Sequence, residues 1–205
     1  LKGRQALMTG IDVEDFMFAL GPSDLWIVCP ALYFCGSPLE TDIGHHFEVE
    51  LADGSTATIG YDVNNLDLAI QLLNESDYQG ETTVILNPTD YGTITPLGPV
   101  LKAVMADIGY NVEMPALDWA TVTSMFGNTD SYSLATDWYA HWSSGNPIND
   151  HLISGTLDFI IRDEDLINLQ LEFVREADAS KRFEIVEQLQ IHRWTKVTSL
   201  SLGQF

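Results

Sequence analysis

Hydrophobic positions along this chain recur with two different periods, and the switches between them mark out a series of elements. From Arg4 to Leu20 the pattern is helical and breaks near Gly10. Asp12 is placed to cap the second part, with Asp15 three residues on as a minimal capping box. Gly21 to Gly44 is rich in Pro, Gly and Ser and reads as a long structured loop. Phe47 to Leu51 alternates strictly, as does Thr56 to Ile59, and Asp53-Gly54 between them predicts a β-hairpin. A helix is expected from Asp62, with Leu66, Ala69, Ile70 and Leu73 on one face. Thr82 to Leu86 is a short, mostly apolar run of the kind that lies inside a covered sheet, and Asn87-Pro88 ends it.

Pro96 opens the next helix, in which Leu101, Val104, Met105 and Ile108 share a face and Gly109 closes the last turn. Val112 to Leu117 reads as a strand, and Asp118 is placed to cap a helix reaching Phe126. Tyr132 to Tyr139 is a further strand candidate, and His141 to Asn149 a loop. Two helices follow, near Asp163–Arg175 with Leu166, Leu169 and Phe173 inward, and near Ser180–Trp194 with Phe183, Val186, Leu189 and Arg193 on one stripe. Thr198 to Gly203 reads as a closing strand. Strands alternating with helices predict an α/β domain, a mixed sheet with flanking helices.

Charge narrows the function classes. Thirty acidic residues against nine basic give a formal charge of −21, which repels nucleic acid and anionic membrane surfaces. The charges are dispersed, as on a soluble, highly charged surface, and the field also favours cationic ligands. Cys29 and Cys35 lie too far apart for a zinc knuckle or a redox pair, and no second pair completes a metal site. A local disulfide across Pro30 and Gly36 and two reduced thiols are both compatible with the spacing; the disulfide would imply an oxidising compartment.

Enzyme signatures are mostly absent: the chain has no phosphate-cradling glycine loop and no Gly-x-Ser-x-Gly elbow. His45 and His46 are adjacent, so on a strand they would face opposite ways and read as surface residues, not as a chelating pair. No cofactor and no metal is called for. Thr136-Asp137-Trp138-Tyr139-Ala140-His141-Trp142 stands apart. It gathers aromatic side chains at the expected carboxyl end of a strand, where open α/β sheets bind ligands. Trp138, Tyr139, His141 and Trp142 are therefore candidate ligand-binding residues, with the alternative that Trp138 and Trp142 anchor the core. Asp90 and Tyr91, just past the Thr82–Leu86 strand, are candidates on the same argument.

Several blocks carry a family resemblance. Arg4-Gln5-Ala6-Leu7 with Gly10-Ile11-Asp12, then Tyr61-Asp62 with Leu66, Ala69 and Leu72-Leu73, then Ile108 to Glu113 with Asp118-Trp119-Ala120-Thr121 are collinear with one pattern. So are Arg182, Ile185-Val186 and Gln190, and the closing Leu202-Gly203-Gln204-Phe205. Together with the Cys29–Asp42 loop they resemble the second lobe of extracytoplasmic solute-binding proteins of the peptide/nickel class of ABC importers. The resemblance implies one α/β lobe over residues 1–205, of the type II periplasmic-binding fold, cut from a longer two-lobe chain. It implies capture of a peptide-like or other small organic solute, no catalysis, and a periplasmic or extracytoplasmic location compatible with a lipid anchor. The implied partners are the solute, the first lobe of the parent chain and ABC permease subunits, with an apolar patch where the first lobe packs. Thr198 stands where the family often has Pro. His141 stands where dipeptide binders have an Asp that holds the peptide amino terminus, and an imidazole is a poor ammonium acceptor. The competing readings are a stand-alone hydrolase working through acidic side chains and a protein-interaction module using the aromatic loop.

Overall fold

The computed structural model describes residues 1–138 and 163–205. It begins with two short helices, α1 (Lys2–Gly10) and α2 (Val13–Leu20). Gly10, the last residue of the first, lets the helices meet closely: a Cβ there would lie 2.7 Å from Ile108 and 3.1 Å from Ala69. Asp12 caps α2, accepting from the Glu14 N–H at 3.0 Å, and its second carboxylate oxygen accepts from the Asn64 amide at 2.7 Å. A hairpin follows, β1 (His46–Glu50) paired antiparallel with β2 (Thr56–Gly60).

The next helix, α3 (Leu66–Asn74), starts four residues later than the pattern predicts. Asp62 and Asn64 sit at φ +54° and +48°, in the left-handed region, and cannot continue a helix. Asp62 instead accepts from the Val13 N–H, and Asn65 caps the helix. Leu66 consequently lies in the first turn and is exposed, and the buried face is Ala69, Leu72 and Leu73.

The central unit is a parallel three-stranded sheet in the order β4-β3-β5. It comprises β3 (Thr82–Leu86), β4 (Asn111–Glu113) and β5 (Leu134–Ala135), with α4 (Leu97–Ile108) crossing between the first two. Gly109, at φ +114°, closes α4 as expected. The strand predicted over Val112–Leu117 is shortened because Pro115 has no N–H to donate; Leu117 rejoins the sheet as a single bridge to Pro88. The α/β class is observed, with parallel and antiparallel pairings in two separate small sheets.

Asp118 caps α5 (Trp119–Met125), Asp163 caps α6 (Glu164–Arg175) and Asp178 caps α7 (Ala179–Lys196). The main core gathers α1 to α4 with Ile59, Ile85 and Trp194. A second core joins α6 and α7 to the long loop: Leu32 and Tyr33 pack against Leu166, Ile185, Val186 and Leu189. The inward stripe of α7 is wider than predicted, with Ile185, Gln190 and Trp194 buried and Phe183 only half-buried. The chain end forms no strand over Thr198–Gly203; it makes one antiparallel bridge, Ile27 to Gln204.

The long loop is ordered by two glutamines and a disulfide. Gln190, fully buried, accepts from the Leu32 N–H at 2.8 Å and donates to the carbonyls of Thr41 and Ile43. Gln204 accepts from the Cys35 N–H. Cys29 and Cys35 are bonded to one another. The disulfide closes a small loop whose entropy loss in the unfolded chain corresponds to about 2 kcal/mol. Cys29→Ser with Cys35→Ser should lower unfolding free energy by about that amount in urea titrations, and dithiothreitol should reproduce the loss in the unmodified chain but not in the variant.

Candidate functional site

The three parallel strands place their carboxyl ends together, and the segments leaving them form one edge. From β3 come Asn87, Pro88, Thr89, Asp90 and Tyr91; from β4 the path to Leu117, Asp118 and Trp119; from β5 Thr136, Asp137 and Trp138. The hinge of this edge is Asn87, 4% exposed. Its carboxamide oxygen accepts from the Thr136 hydroxyl at 2.6 Å, and its nitrogen donates to the carbonyls of Thr95 and Pro88 at 3.0 and 3.3 Å. One side chain thus holds the ends of β3 and β5 and the turn into α4 in fixed relation. Thr89 does the same toward β4, its N–H and hydroxyl both donating to the Leu117 carbonyl, at 2.8 and 3.0 Å.

On this frame the aromatic rings form a row. Trp138 is 36% exposed and lies nearly parallel to Tyr91, ring centres 6.3 Å apart at 17°. Tyr91 stacks on Trp119 at 5.0 Å and 29°, and Phe126 meets Trp119 edge-on at 6.2 Å. Tyr91 and Trp119 also touch the main core, so one side of each is anchored while the remainder faces outward. Asp90 ties the β3 exit to the start of α5: its carboxylate accepts from the Trp119 N–H at 2.7 Å. Asp118 accepts from the Thr121 N–H at 2.7 Å, and that bond holds its carboxyl below the ordinary carboxylate value. Asp137 accepts from the N–H of Trp138 at 2.8 Å.

Of the residues expected from sequence, Trp138, Tyr91 and Asp90 are brought together here. Tyr139, His141 and Trp142 lie outside the described residues. Trp119 and Phe126 join the row without having been singled out. The available signal was the position of Asp118-Trp119 directly after a strand of the same sheet, the argument already applied to Asp90 and Tyr91.

His45 and His46 differ from expectation in one respect. His45 precedes the strand instead of lying in it, so the two rings come within 4.3 Å of each other. Each has one nitrogen occupied, His45 by the Asp42 carbonyl and His46 Nε2 by the Tyr61 carbonyl at 2.7 Å. A hollow of ≈ 440 Å³ opens at the opposite, amino edge of the sheet between Arg4, Tyr78, Tyr110 and Ser133. Its phenols are committed to the fold: Tyr78 donates to the Glu81 carbonyl at 2.7 Å and Tyr110 to that of Gly3.

Solved structures share this fold. The chain superposes on an ABC transporter substrate-binding protein, CtaP, of Listeria monocytogenes with a TM-score of 0.79 and 17% identity, over 99% of this chain and 40% of that one. The fold is that of about two fifths of a periplasmic-binding-protein chain. A substrate-binding protein of Microbacterium hydrocarbonoxydans, complexed with 4-hydroxybenzoate hydrazide, superposes with a TM-score of 0.71 at 15% identity, over 99% of this chain and 40% of that one. The peptide-binding protein AppA of Clostridium difficile gives 0.71 at 17%, over 93% and 38%. In sequence, 86 residues are 33% identical to a probable peptide ABC transporter periplasmic-binding protein of Sinorhizobium fredii, covering 38% of this chain and 16% of that protein. No family model matches the chain. The chain spans about two fifths of the length of these solved substrate-binding proteins, 38–40% in the three cases.

The Asn87 knot gives a test. A Cβ at Gly98 would lie 2.3 Å from Cγ and 2.7 Å from Cβ of Asn87, so the buried carboxamide itself would have to move. Gly98→Ala should cost about 1–3 kcal/mol in unfolding free energy, the usual range for overpacking. It should also alter Trp138 fluorescence, because Thr136 and Trp138 move with Asn87.

Proposed function

We propose that this chain is one ligand-binding lobe, the second of two, of an extracytoplasmic substrate-binding protein that captures a peptide-like or other small organic solute for an ABC importer. The observation that carries the reading is the aromatic row at the carboxyl edge of the parallel sheet, in a chain with the substrate-binding-protein fold. Flat rings anchored on one side and open on the other suit the wall of a cleft for a small organic molecule. Trp138, Tyr91 and Asp90 form the core of that wall, joined by Trp119, with Tyr139, His141 and Trp142 on the segment that follows. The other wall belongs to the first lobe of the parent chain, and capture works through tighter binding of the closed state.

Three further features support this reading. Phe18, Leu25, Ile27 and Phe205 are exposed and gathered around the Ile27–Gln204 bridge, an apolar surface suited to contact with another part of the parent chain. The disulfide fits an oxidising, extracytoplasmic compartment, and the charge of −21 disfavours nucleic acid as a partner. The permease subunits are the partners that receive the solute.

Thermal-shift screening of the full-length parent against oligopeptides, sugars, opines and metal chelates identifies the solute. Trp138→Ala should then weaken its binding by more than tenfold, about 1.4 kcal/mol, in calorimetric titration. Unchanged affinity would remove the row from the binding site while leaving the fold intact.

A further inference from the structure

The last residues of the chain are held from one place. Among the described residues, the hydrogen bonds of residues 200–205 run to the segment from Ile27 to Cys35 or to Tyr61. Ile27 and Gln204 exchange both of their backbone bonds, at 2.8 and 2.9 Å. The Gln204 carboxamide oxygen accepts from the Cys35 N–H, and its nitrogen donates to the Cys35 carbonyl at 3.4 Å. The Tyr61 hydroxyl accepts from the Cys29 N–H at 3.1 Å and donates to the Leu202 carbonyl at 3.4 Å. Both halves of the disulfide therefore reach the tail, Cys35 directly and Cys29 through a phenol. Gly203 lies flat against the same segment: at φ +148°, a Cβ there would come within 2.7 Å of the Ile27 carbonyl oxygen and 2.9 Å of the Met17 sulfur.

One of these bonds is shared. The Cys35 N–H donates to the Cys29 sulfur as well, at 3.0 Å, so that sulfur and the Gln204 carboxamide compete for a single proton. A disulfide sulfur is a weak acceptor, whereas a thiolate makes a charge-assisted bond. Exposure decides where a reductant enters: Cys29 is 1% exposed and Cys35 half-buried. A dithiol thus attacks the Cys35 sulfur, forms a mixed disulfide there and expels Cys29 as a thiolate. The second thiolate of the dithiol then displaces Cys35, the reagent closes to its own disulfide, and both cysteines take up a proton. The departing Cys29 thiolate forms beside the Cys35 N–H and draws it from Gln204. The same step removes the cross-link from a turn that holds Phe34 at φ +51°, a costly conformation for a residue with a side chain. We infer that the Cys29–Cys35 bond is a redox clamp on the tail: oxidised, it seats residues 202–205, and reduction by a dithiol frees them while the helices and the parallel sheet stay folded. Release is confined to the tail because the rest of the loop has other holders. Leu32 and Tyr33 pack on α6 and α7, Gln190 bonds Leu32, and the main core meets Leu200 and Leu202 only as partly buried neighbours. The apolar surface of Phe18, Leu25, Ile27 and Phe205 is drawn from α2, the loop and the tail, so it is one surface only while the clamp is closed. The clamp is a property of this chain and does not rest on the solute-binding reading.

The test is hydrogen–deuterium exchange, read by mass spectrometry on the full-length parent protein with and without dithiothreitol. On reduction, peptides carrying the Ile27 and Gln204 amides should exchange about tenfold faster or more, while peptides from β3 and α4 stay protected over the same period. The double variant Cys29→Ser, Cys35→Ser should show the open tail with or without the reagent. Gln204→Ala tests the shared amide from the other side. It leaves the Cys35 N–H wholly to the departing sulfur, so the thiols should appear about threefold faster or more in dithiothreitol, followed with a chromogenic thiol reagent. Ile27 and Gln204 amides equally protected in both redox states would overturn the clamp. Exchange spreading through β3 and α4 together with the tail, or an unchanged reduction rate in Gln204→Ala, would overturn it as well.

Discussion

The carboxamide of Asn87 sits where β3 and β5 end and ties their exits to the turn into α4, and the geometry of that part of the edge depends on it. A polar side chain buried this deeply is tolerable only when its donors and acceptor are met: it accepts from the Thr136 hydroxyl beyond β5 and donates to the carbonyls of Thr95 and of its neighbour Pro88. Tyr91 lies inside the turn so closed, and Trp138 two residues beyond Thr136. The parallel approach of their rings is thus a consequence of backbone fixed by one hydrogen-bonded knot. Gly98 completes it by leaving the space that the carboxamide occupies.

The same economy recurs in the long loop. A stretch of 24 residues without regular structure, Gly21 to Gly44, needs partners for its backbone, and two glutamines from distant helix and tail supply them. Gln190 reaches the loop from the middle of α7, and Gln204 from the last residues of the chain. The disulfide then shortens the span that these bonds must order, and Tyr33 and Leu32 seal it against α6 and α7. The aromatic edge and the loop are held by polar side chains with long sequence separation, while the helices around α1, α3 and α4 are held by ordinary apolar burial.

On the proposed reading of the row as a cleft wall, rigidity is what serves function, since ordering side chains on binding subtracts from affinity. Rings that stack on one another and on the core, with Asp90 bonded to the backbone of Trp119, have little freedom left to lose.

The sequence by itself determined the elements and their order wherever local chemistry sets them. The hairpin follows from alternation and strand 82–86 from its mostly apolar run; the helix starts at Asp12 and Asp118 follow from capping; the stop at Gly109 follows from its freedom to adopt positive φ. It also marked the carboxyl-edge residues Trp138, Tyr91 and Asp90, because strand polarity is readable from order alone. Periodicity failed where a side chain answered to something remote. Asp62 and Asn64 left the helix to serve Val13 and Asp12, and the tail gave up a strand for one bridge to Ile27. Trp119 and Phe126 were legible as a capped helix and not as part of the row. Only the pairing of β4 with β3 and of β3 with β5 brings positions 91, 119 and 138 to one edge, and that pairing is a tertiary choice made by burial of the sheet, which no local pattern encodes.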